Sequence, residues 1–259
     1  VYAIQESNSI NRAHLHFLGA GMGEIEKNEA LMQLEGLLDI LTDAKEYGSI
    51  LNVENYNWDL LRRFTAAVAT DGQISMESVG VEDTAEHLRQ LIDIGETMAR
   101  KYRVTCTNPP YAGTSNLSAQ VNNFVKKHYP DSKADLYAVF IERCQKMTAV
   151  NGFQAMITQH SWMFLSSFEK LREKMMQMET VNMAHLGARA FEEIGGEVVQ
   201  TTAFVRCMSH ADGYKGTYCR LIEPTSQQGK EDMFLRGENR YTSNQDNFRT
   251  IPGWPIAYW

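Results

Sequence analysis

The chain has 259 residues, 43% of them hydrophobic, with 25 basic and 32 acidic side chains and a net charge of −7. This content can bury a substantial core over one or two domains. The acidic balance is not the usual footprint of a nucleic-acid binder, so DNA affinity would need local basic patches. Apolar runs fall short of eighteen residues, so we expect no membrane span and a cytoplasmic location.

The cysteines show neither paired spacing nor a CxxC motif. We therefore expect reduced thiols in strands or in the core, and no metal site. The four cysteines are Cys106, Cys144, Cys207 and Cys219.

The first residues, Val1 to Ile4, are predicted to be a strand entered in the middle of a fold. Gln5 and Glu6 at its carboxyl end are candidates for cofactor contact. The glycine cluster Gly19–Gly23 could open a helix toward a ligand. Because the residues before it make a poor buried strand, a turn between helices is the favoured interpretation.

The region from residue 24 to residue 101 is predicted to be mostly helical, since leucines recur at helical spacing and indicate core packing. A short turn-plus-strand segment interrupts the helices at residues 47–53. The predicted helices are Glu29–Thr42, Trp58–Thr70 and Asp83–Tyr102.

The tetrad Asn108-Pro109-Pro110-Tyr111 follows an apolar run, Tyr102–Thr107, that is predicted to be a buried strand. The residue before a proline is pushed toward extended backbone, and two prolines forbid an immediate helix. We therefore expect a stiff loop that holds the amide of Asn108 and the ring of Tyr111 in fixed positions.

Alternating helices and strands follow the tetrad. Ser132 is a predicted N-cap for the next helix, with Asp135 three residues on. A strand then closes a β-α-β unit, and a second unit follows it. The predicted elements are Ala138–Cys144 (helix), Phe153–Thr158 (strand), Ser167–Met178 (helix), Thr180–His185 (strand) and Val198–Met208 (strand).

This order of motifs resembles the adenine-specific amino-methyltransferases, and in particular the PglX-type family of type 1 BREX phage-defence systems. The Asn-Pro-Pro-Tyr tetrad precedes a helix that opens with Asp135-Leu136-Tyr137, and Asn151-Gly152-Phe153 then leads into a strand. Three further stretches look characteristic: Ile157–Phe164, Ala184–Arg189 and Glu192–Thr202. The resemblance is strongest over residues 102–208.

The resemblance implies methyl transfer from S-adenosylmethionine to N6 of an adenine that has been rotated out of double-stranded DNA. The Asn108 side-chain oxygen and the Pro109 carbonyl are implied to accept both N6 hydrogens. This localises the lone pair and stabilises the positive charge that develops on transfer. Tyr111 is implied to stack on the base, and Pro110 completes the catalytic tetrad.

One departure from the family concerns the cofactor. The expected loop of the type Asp-Pro-x-x-Gly-x-Gly does not precede Asn108. We therefore predict an α/β, partial Rossmann-like methyltransferase fold with a helical insertion, whose cofactor-binding N-terminal half lies upstream of Val1. The expected parts are 1–23 (end of an upstream methyltransferase strand, and a turn), 24–101 (helical insertion), 102–224 (catalytic half) and 225–259 (linker toward an absent target-recognition domain).

Several residues outside the tetrad are candidates for the DNA site. His160, Trp162 and Phe164 follow a strand end, where α/β sheets bind ligands, and are candidate substrate contacts. The glycine-rich segment Gly187–Glu197 is expected to be a mobile loop near the base pocket. Candidate basic patches are Lys126-Lys127-His128 and the pair Arg236 and Arg240.

The favoured function is a site-specific DNA adenine-N6 methyltransferase in phage defence, with DNA and other defence proteins as partners and no membrane contact. Two alternatives stay open. One is a non-catalytic module that binds nucleic acid or protein on a methyltransferase-like scaffold. The other is methylation of protein glutamine, because related enzymes use the same tetrad on a side-chain amide and this chain is acidic.

Overall fold

The computed structural model describes residues 2–68, 79–191 and 199–259. The chain divides into two compact units, Val1–Arg100 and Lys101–Trp259. Within the described ranges, none of the helices is both long and apolar enough to cross a membrane.

The first unit is helical. Helices α1, α3 and α4 pack against one another, and buried leucines at helical spacing form their contact. The Asn57 side chain caps α3 by accepting a hydrogen bond from the Leu60 amide at 3.1 Å. The helices are α1 (Glu24–Ile40), α2 (Ala44–Tyr47), α3 (Trp58–Ala66) and α4 (Val81–Ala99), with 3-10 turns at Arg12–Phe17 and Gly48–Ile50.

Two sequence predictions in this unit differ from the structure. The predicted strand in residues 47–53 is a 3-10 turn that follows α2, and Gly48 at φ +58° turns the chain there. Tyr2–Ile4 has no regular secondary structure, and Val1 lies outside the described residues.

The second unit is built on a six-stranded mixed sheet within the described residues, in the order β1-β2-β4-β3-β5-β6. β1 and β2 are parallel, as are β3 and β5, and the other neighbours are antiparallel. The elements are β1 (Tyr102–Thr107), α5 (Ala119–His128), α6 (Leu136–Met147), β2 (Thr148–Gln159), α7 (Glu169–Met175), β3 (Glu179–Gly187), β4 (Thr201–Cys207), β5 (Gly216–Arg220), α8 (Gln227–Arg236) and β6 (Arg240–Ser243).

The predicted β-α-β arrangement is present, because α5 and α6 connect the parallel strands β1 and β2. The N-cap of α6 is Asp135, which accepts from the Tyr137 amide at 3.2 Å. Ser132, the predicted cap, is instead buried and donates to Glu142 at 3.1 Å. Asp135 takes the position because it directly precedes the first helical turn.

One face of the sheet carries the core of this unit. Alternation along each strand sends large side chains to this face, where α6 and α7 cover them. Buried members include Met156, Met183, Phe204 and Tyr218 from the strands and Ile141 and Leu171 from the helices.

The opposite face carries a depression that small side chains of the strands line, together with Tyr214, Phe234 of α8 and Arg240. Ala155, Ala203 and Val205 line this depression of about 860 Å³ and are only partly buried. β1 stands at the edge of the sheet, so the expectation of a buried strand is wrong: Val104 is 60% exposed. An edge strand has one row of backbone groups without a neighbouring strand.

The tail from residue 225 to residue 259 folds onto this unit, where the sequence analysis expects a linker. β6 pairs with β5, and Phe248, Ile256 and Tyr258 are buried in the core. Of the expected mobile loop Gly187–Glu197, residues 192–197 lie outside the described residues, while Gly187 ends β3 at φ +67°.

The leucine core of the first unit gives a stability prediction. Leu38 in α1 is fully buried, so Leu38→Ala is expected to lower the free energy of unfolding by about 2–5 kcal/mol through lost burial and a residual cavity. Ile25 in the same helix is 87% exposed, and Ile25→Ala should change stability by less than about 0.5 kcal/mol. Urea denaturation of both variants measures this. Equal effects would contradict the assigned core.

Candidate functional site

The tetrad lies directly after β1, at the edge of the sheet where β1 and β2 both end. Thr107, the last residue of β1, is in register with Met156 of β2. Asn108 is exposed and lines the depression on the open face, while Pro109 is buried beneath it. The two prolines prevent the chain from entering a helix, so the amide is presented on extended backbone.

Tyr111 points to the other side of the sheet and packs against the core. Its hydroxyl donates to the Ile157 carbonyl at 3.5 Å, a long hydrogen bond. Its ring meets the Tyr137 ring edge-on, with centroids 6.2 Å apart. Burial raises the pKa of Tyr111 to about 12. The phenol is therefore neutral at physiological pH and suited to stacking.

A carboxylate fixes the chain just beyond the tetrad. Asp135 accepts from the Ala112 amide at 3.1 Å, and the Leu136 amide donates to the Ala112 carbonyl at 3.0 Å. Burial raises the pKa of Asp135, against backbone hydrogen bonds that lower it. This residue therefore joins the tetrad loop to the start of α6.

Tyr137, on the first turn of α6, connects the tetrad to the loop after β2. Its hydroxyl lies 2.6 Å from the Ser161 Oγ, and burial raises the pKa of this phenol. Tyr111, Tyr137 and Ser161 therefore form a continuous row of contacts along the sheet edge.

The candidate substrate residues after β2 occupy different environments. Phe164 is 45% exposed and meets the ring of His160 edge-on, with centroids 5.0 Å apart. Trp162 is 1% exposed, donates to the Thr158 hydroxyl at 3.0 Å and packs on Phe204. Trp162 is therefore a core residue in this structure, because its large apolar ring fills the space under the loop.

His160 belongs to a row of three polar side chains. Its Nδ1 lies 2.8 Å from His185 Nε2, and His185 Nδ1 lies 2.9 Å from the Tyr258 hydroxyl. Burial lowers the pKa of His160. For His185, burial comes first, and the charges of His160, Arg220 and Lys230 add to it, lowering its pKa to about 4. Both rings are thus held neutral at physiological pH.

The candidate cofactor residues of the first unit, Gln5, Glu6 and Gly19–Gly23, lie in turns and irregular segments. Gly19 and Gly21 have positive φ and lie in the turn between the 3-10 helix Arg12–Phe17 and α1, as the favoured prediction states. A strand before the glycines, which a nucleoside cradle requires, is absent from this described segment. Glu6 forms an ion pair with Lys45 at 3.6 Å.

The predicted basic patches are exposed and dispersed. Lys126 and Lys127 are exposed on the last turn of α5. Arg236 pairs with Glu238 at 2.6 Å, and the Arg240 guanidinium lies over the Phe234 ring at 5.6 Å beside the open face. Their role in DNA contact stays a prediction.

The sequence patterns did not indicate the positioning side chains of the site. Asp135 and Tyr137 belong to the helix-opening motif that follows the tetrad, and Ser161 and His185 lie in longer stretches where no role was predicted for them. An aspartate directly before an apolar helical run is a cap signal that could have located Asp135. The contacts of Ser161 and His185 join distant segments, and no local pattern announces them.

Comparison with known proteins places the chain beside methyltransferases. The sequence model of the Eco57I restriction-modification methylase family matches residues 23–189. The chain is 46% identical over 224 residues to the adenine-specific methyltransferase PglX of Lacticaseibacillus casei (strain Zhang), covering 83% of this chain and 19% of that protein. It is 37% identical over 226 residues to the adenine-specific methyltransferase BrxX of Escherichia coli O9:H4 (strain HS), covering 86% of this chain and 18% of that protein.

The chain therefore spans about a fifth of the length of the curated relatives that it matches. Among solved structures, the DrdV–DNA complex has a TM-score of 0.46 at 15% identity, covering 74% of this chain and 20% of that chain.

The buried histidine row predicts a pH dependence of stability. Above a pH of about 6.5, His185 is neutral in both folded and unfolded chains. As the pH falls toward about 4, His185 becomes protonated in the unfolded chain but stays neutral in the folded chain. The free energy of unfolding should therefore fall by roughly 3 kcal/mol across this window. Urea denaturation at pH 7 and at pH 5 gives the free energy of unfolding at each pH. His185→Gln should make the difference between these two free energies smaller than in the wild-type protein, and an unchanged difference would contradict the prediction.

Proposed function

Because this chain belongs to the PglX/BrxX family of adenine-specific methyltransferases, which carries the Eco57I methylase domain, we propose that the full-length protein methylates N6 of adenine in DNA. The donor is S-adenosylmethionine, and this chain supplies the half of the site that holds the base amine. The observation that carries the proposal is Asn108, exposed at the end of β1 and lining the depression beside it. We further propose that the protein acts in bacterial phage defence.

The chemistry of the amine explains why an amide and a backbone carbonyl suit this position. The N6 lone pair is delocalised into the adenine ring, so the nitrogen is a poor nucleophile. The Asn108 side-chain oxygen and the Pro109 carbonyl accept the two N6 hydrogens and draw the nitrogen toward tetrahedral geometry. Both acceptors are preorganised, since the prolines restrict the backbone, and they stabilise the positive charge that develops.

Tyr111 provides a stacking surface for a base rotated out of the duplex. Its environment supports this role. The ring packs edge-on against the Tyr137 ring, the hydroxyl donates to the Ile157 carbonyl, and the phenol is neutral. A braced aromatic ring loses little entropy when a base stacks on it.

The cofactor site is proposed to lie outside the described residues, because the described glycine cluster does not fit a nucleoside. Two features of the sheet support this. The face lined by Ala155, Ala203 and Val205 carries a depression of about 860 Å³, which leaves room for a further layer against the sheet. Among the strands of the described sheet, β1 is the outermost at one side. We propose that further parts of the full-length protein cover this face and bind the cofactor beside Asn108.

The amide of Asn108 gives the direct test of this function. Asn108→Ala in the full-length protein should lower the rate of methyl transfer to DNA about a hundredfold or more, since one preorganised acceptor contributes about 3 kcal/mol. The side chain is exposed, so its loss leaves the fold intact. Tritiated methyl transfer at equal protein concentration measures the rate. Asn28→Ala, at an exposed position on α1, is the matched control. Equal rates for both variants would remove Asn108 from the mechanism.

Cofactor binding tests where the cofactor site lies. The isolated 259-residue chain should give no saturable calorimetric signal with S-adenosylmethionine, whereas the full-length protein should bind it. Saturable micromolar binding by the isolated chain would contradict the proposed location and return attention to Gly19–Gly23.

A further inference from the structure

The loop that follows β2, residues 160–165, lies at the same edge of the sheet as the tetrad, because β1 and β2 are parallel and both end there. It carries the exposed ring of Phe164 and, edge-on to it, the ring of His160. The His160 amide still donates to the Gln200 carbonyl at 2.9 Å, but the backbone then forms a 3-10 turn over Ser161–Met163 and leaves the sheet ladder.

A segment near the end of the chain holds this loop in place. We refer to residues Gly253–Tyr258 as the C-terminal strap. The strap has no regular secondary structure, yet Ile256 and Tyr258 are 6% and 4% exposed. The Ile256 amide donates to the Met163 carbonyl at 2.9 Å, which attaches the strap directly to the loop.

Arg172 on α7 provides the second attachment. Its guanidinium is buried and bonded on both sides: Nη1 donates to the Trp162 and Leu165 carbonyls at 2.8 and 2.7 Å. Nε and Nη2 donate to the Gly253 carbonyl at 2.9 and 2.6 Å. A planar donor fork of this kind fixes the relative position of the groups that it joins. Here it joins the loop to the strap.

Tyr258 provides the third attachment, through His185 to His160 at the start of the loop. The Tyr258 ring also stacks on Tyr218, with centroids 5.0 Å apart and planes 9° apart. Stacking on Tyr218 thus positions the Tyr258 ring, and the Tyr258 hydroxyl is hydrogen-bonded to His185 of the histidine pair.

The loop in turn reaches the tetrad. Ser161 is hydrogen-bonded to the Tyr137 hydroxyl at 2.6 Å, and the Tyr137 ring braces the ring of Tyr111. Contacts of ordinary length therefore run without a gap from Tyr258 to the tyrosine of the tetrad.

We infer that the C-terminal strap is a positioning element for base capture: through Tyr258 and Arg172 it fixes the loop 160–165, and through that loop the stacking ring of Tyr111. The inference rests on the proposed function, because it assigns the fixed rings to a base turned out of DNA. An unfixed loop would have to be ordered when the base arrives, and that entropy cost would weaken capture. Tyr258, His185 and Ser161 are positioning residues and touch no substrate in this scheme.

The test uses the full-length protein and a duplex containing the sequence that the wild-type protein methylates, with 2-aminopurine at the target adenine. Tyr258→Phe removes one hydroxyl and keeps the ring that stacks on Tyr218. It should weaken base capture about tenfold, the worth of one lost hydrogen bond, as measured by 2-aminopurine fluorescence. Hydrogen–deuterium exchange at the amides of residues 163–165 should become faster in the same variant.

Matched variants separate positioning from general stability. Tyr218→Phe removes the hydroxyl of the neighbouring buried tyrosine, which is 1% exposed against 4% for Tyr258, and should leave capture unchanged. Ser161→Ala breaks the same row at its other end and should reproduce the effect of Tyr258→Phe, while Ser166→Ala in an exposed position should not. Should Tyr258→Phe not fold, Ser161→Ala still provides the test.

A double-mutant cycle decides whether the contacts that run from Tyr258 through the histidine pair and Ser161 to Tyr137 act as a unit. If they do, Tyr258→Phe combined with Ser161→Ala should lose about tenfold in capture, as each single variant does, and not about a hundredfold. Additive losses, or capture and exchange equal to those of Tyr218→Phe, would overturn the inference, as would faster exchange with unchanged capture. Failure of the proposed function is a different result: the wild-type protein then transfers no methyl to adenine, which removes both proposals.

Discussion

Two consecutive prolines at the end of a strand are the constraint on which the site depends. They hold the chain extended at the point where β1 leaves the sheet, so Asn108 and Tyr111 lie on opposite sides of the sheet edge. The amide borders the open depression, and the ring packs against the core. If the chain continued as a flexible or helical segment, Asn108 and Tyr111 would not be held in these positions. The preorganisation that the proposed amine chemistry requires would thus come from backbone stiffness.

Buried and half-buried polar groups then fix the parts around the tetrad. Asp135 joins the tetrad loop to α6, and Arg172 joins the loop after β2 to the C-terminal strap. Such groups are costly to bury unless their hydrogen bonds are made, so each specifies one arrangement of the segments that it joins. Arg206 illustrates the free-energy cost of burying a charged group. It is fully buried beside Gln154, and its Nε has no hydrogen-bond partner among the described residues. Burial lowers its pKa to about 9.

The asymmetry of the sheet relates the fold to the proposed function. Large side chains and helices fill one face, while small side chains on the other leave room for a further layer. Asn108 lies on the open side and Tyr111 on the filled side. A methyl donor bound on the open side would therefore meet an amine whose base is stacked from the filled side. This division agrees with the proposal that the tetrad side of the sheet holds the base and that the cofactor binds to parts outside the described residues.

The sequence by itself determined the features that depend on local chemistry. Leucine spacing located α1, α3 and α4, β-branched and apolar runs located β1, β2, β3 and β4, and the tetrad identified the family. These signals are strong because each is set by residues that are neighbours in the chain. Exposure was not predictable in the same way: the apolar composition of β1 favoured a buried strand, but β1 lies at the sheet edge.

Only the tertiary structure decided the role of the tail and the support of the site. The polar composition of residues 225–259 favoured a linker, but strand pairing with β5 and burial of Tyr258 depend on partners far away in sequence. The same holds for His185, which is 25 residues from His160 and 73 from Tyr258 along the chain. Local patterns specify strands, helices and caps because their interactions are short-range. Which distant side chains meet is fixed by the order of strands in the sheet, and that order is a property of the whole fold.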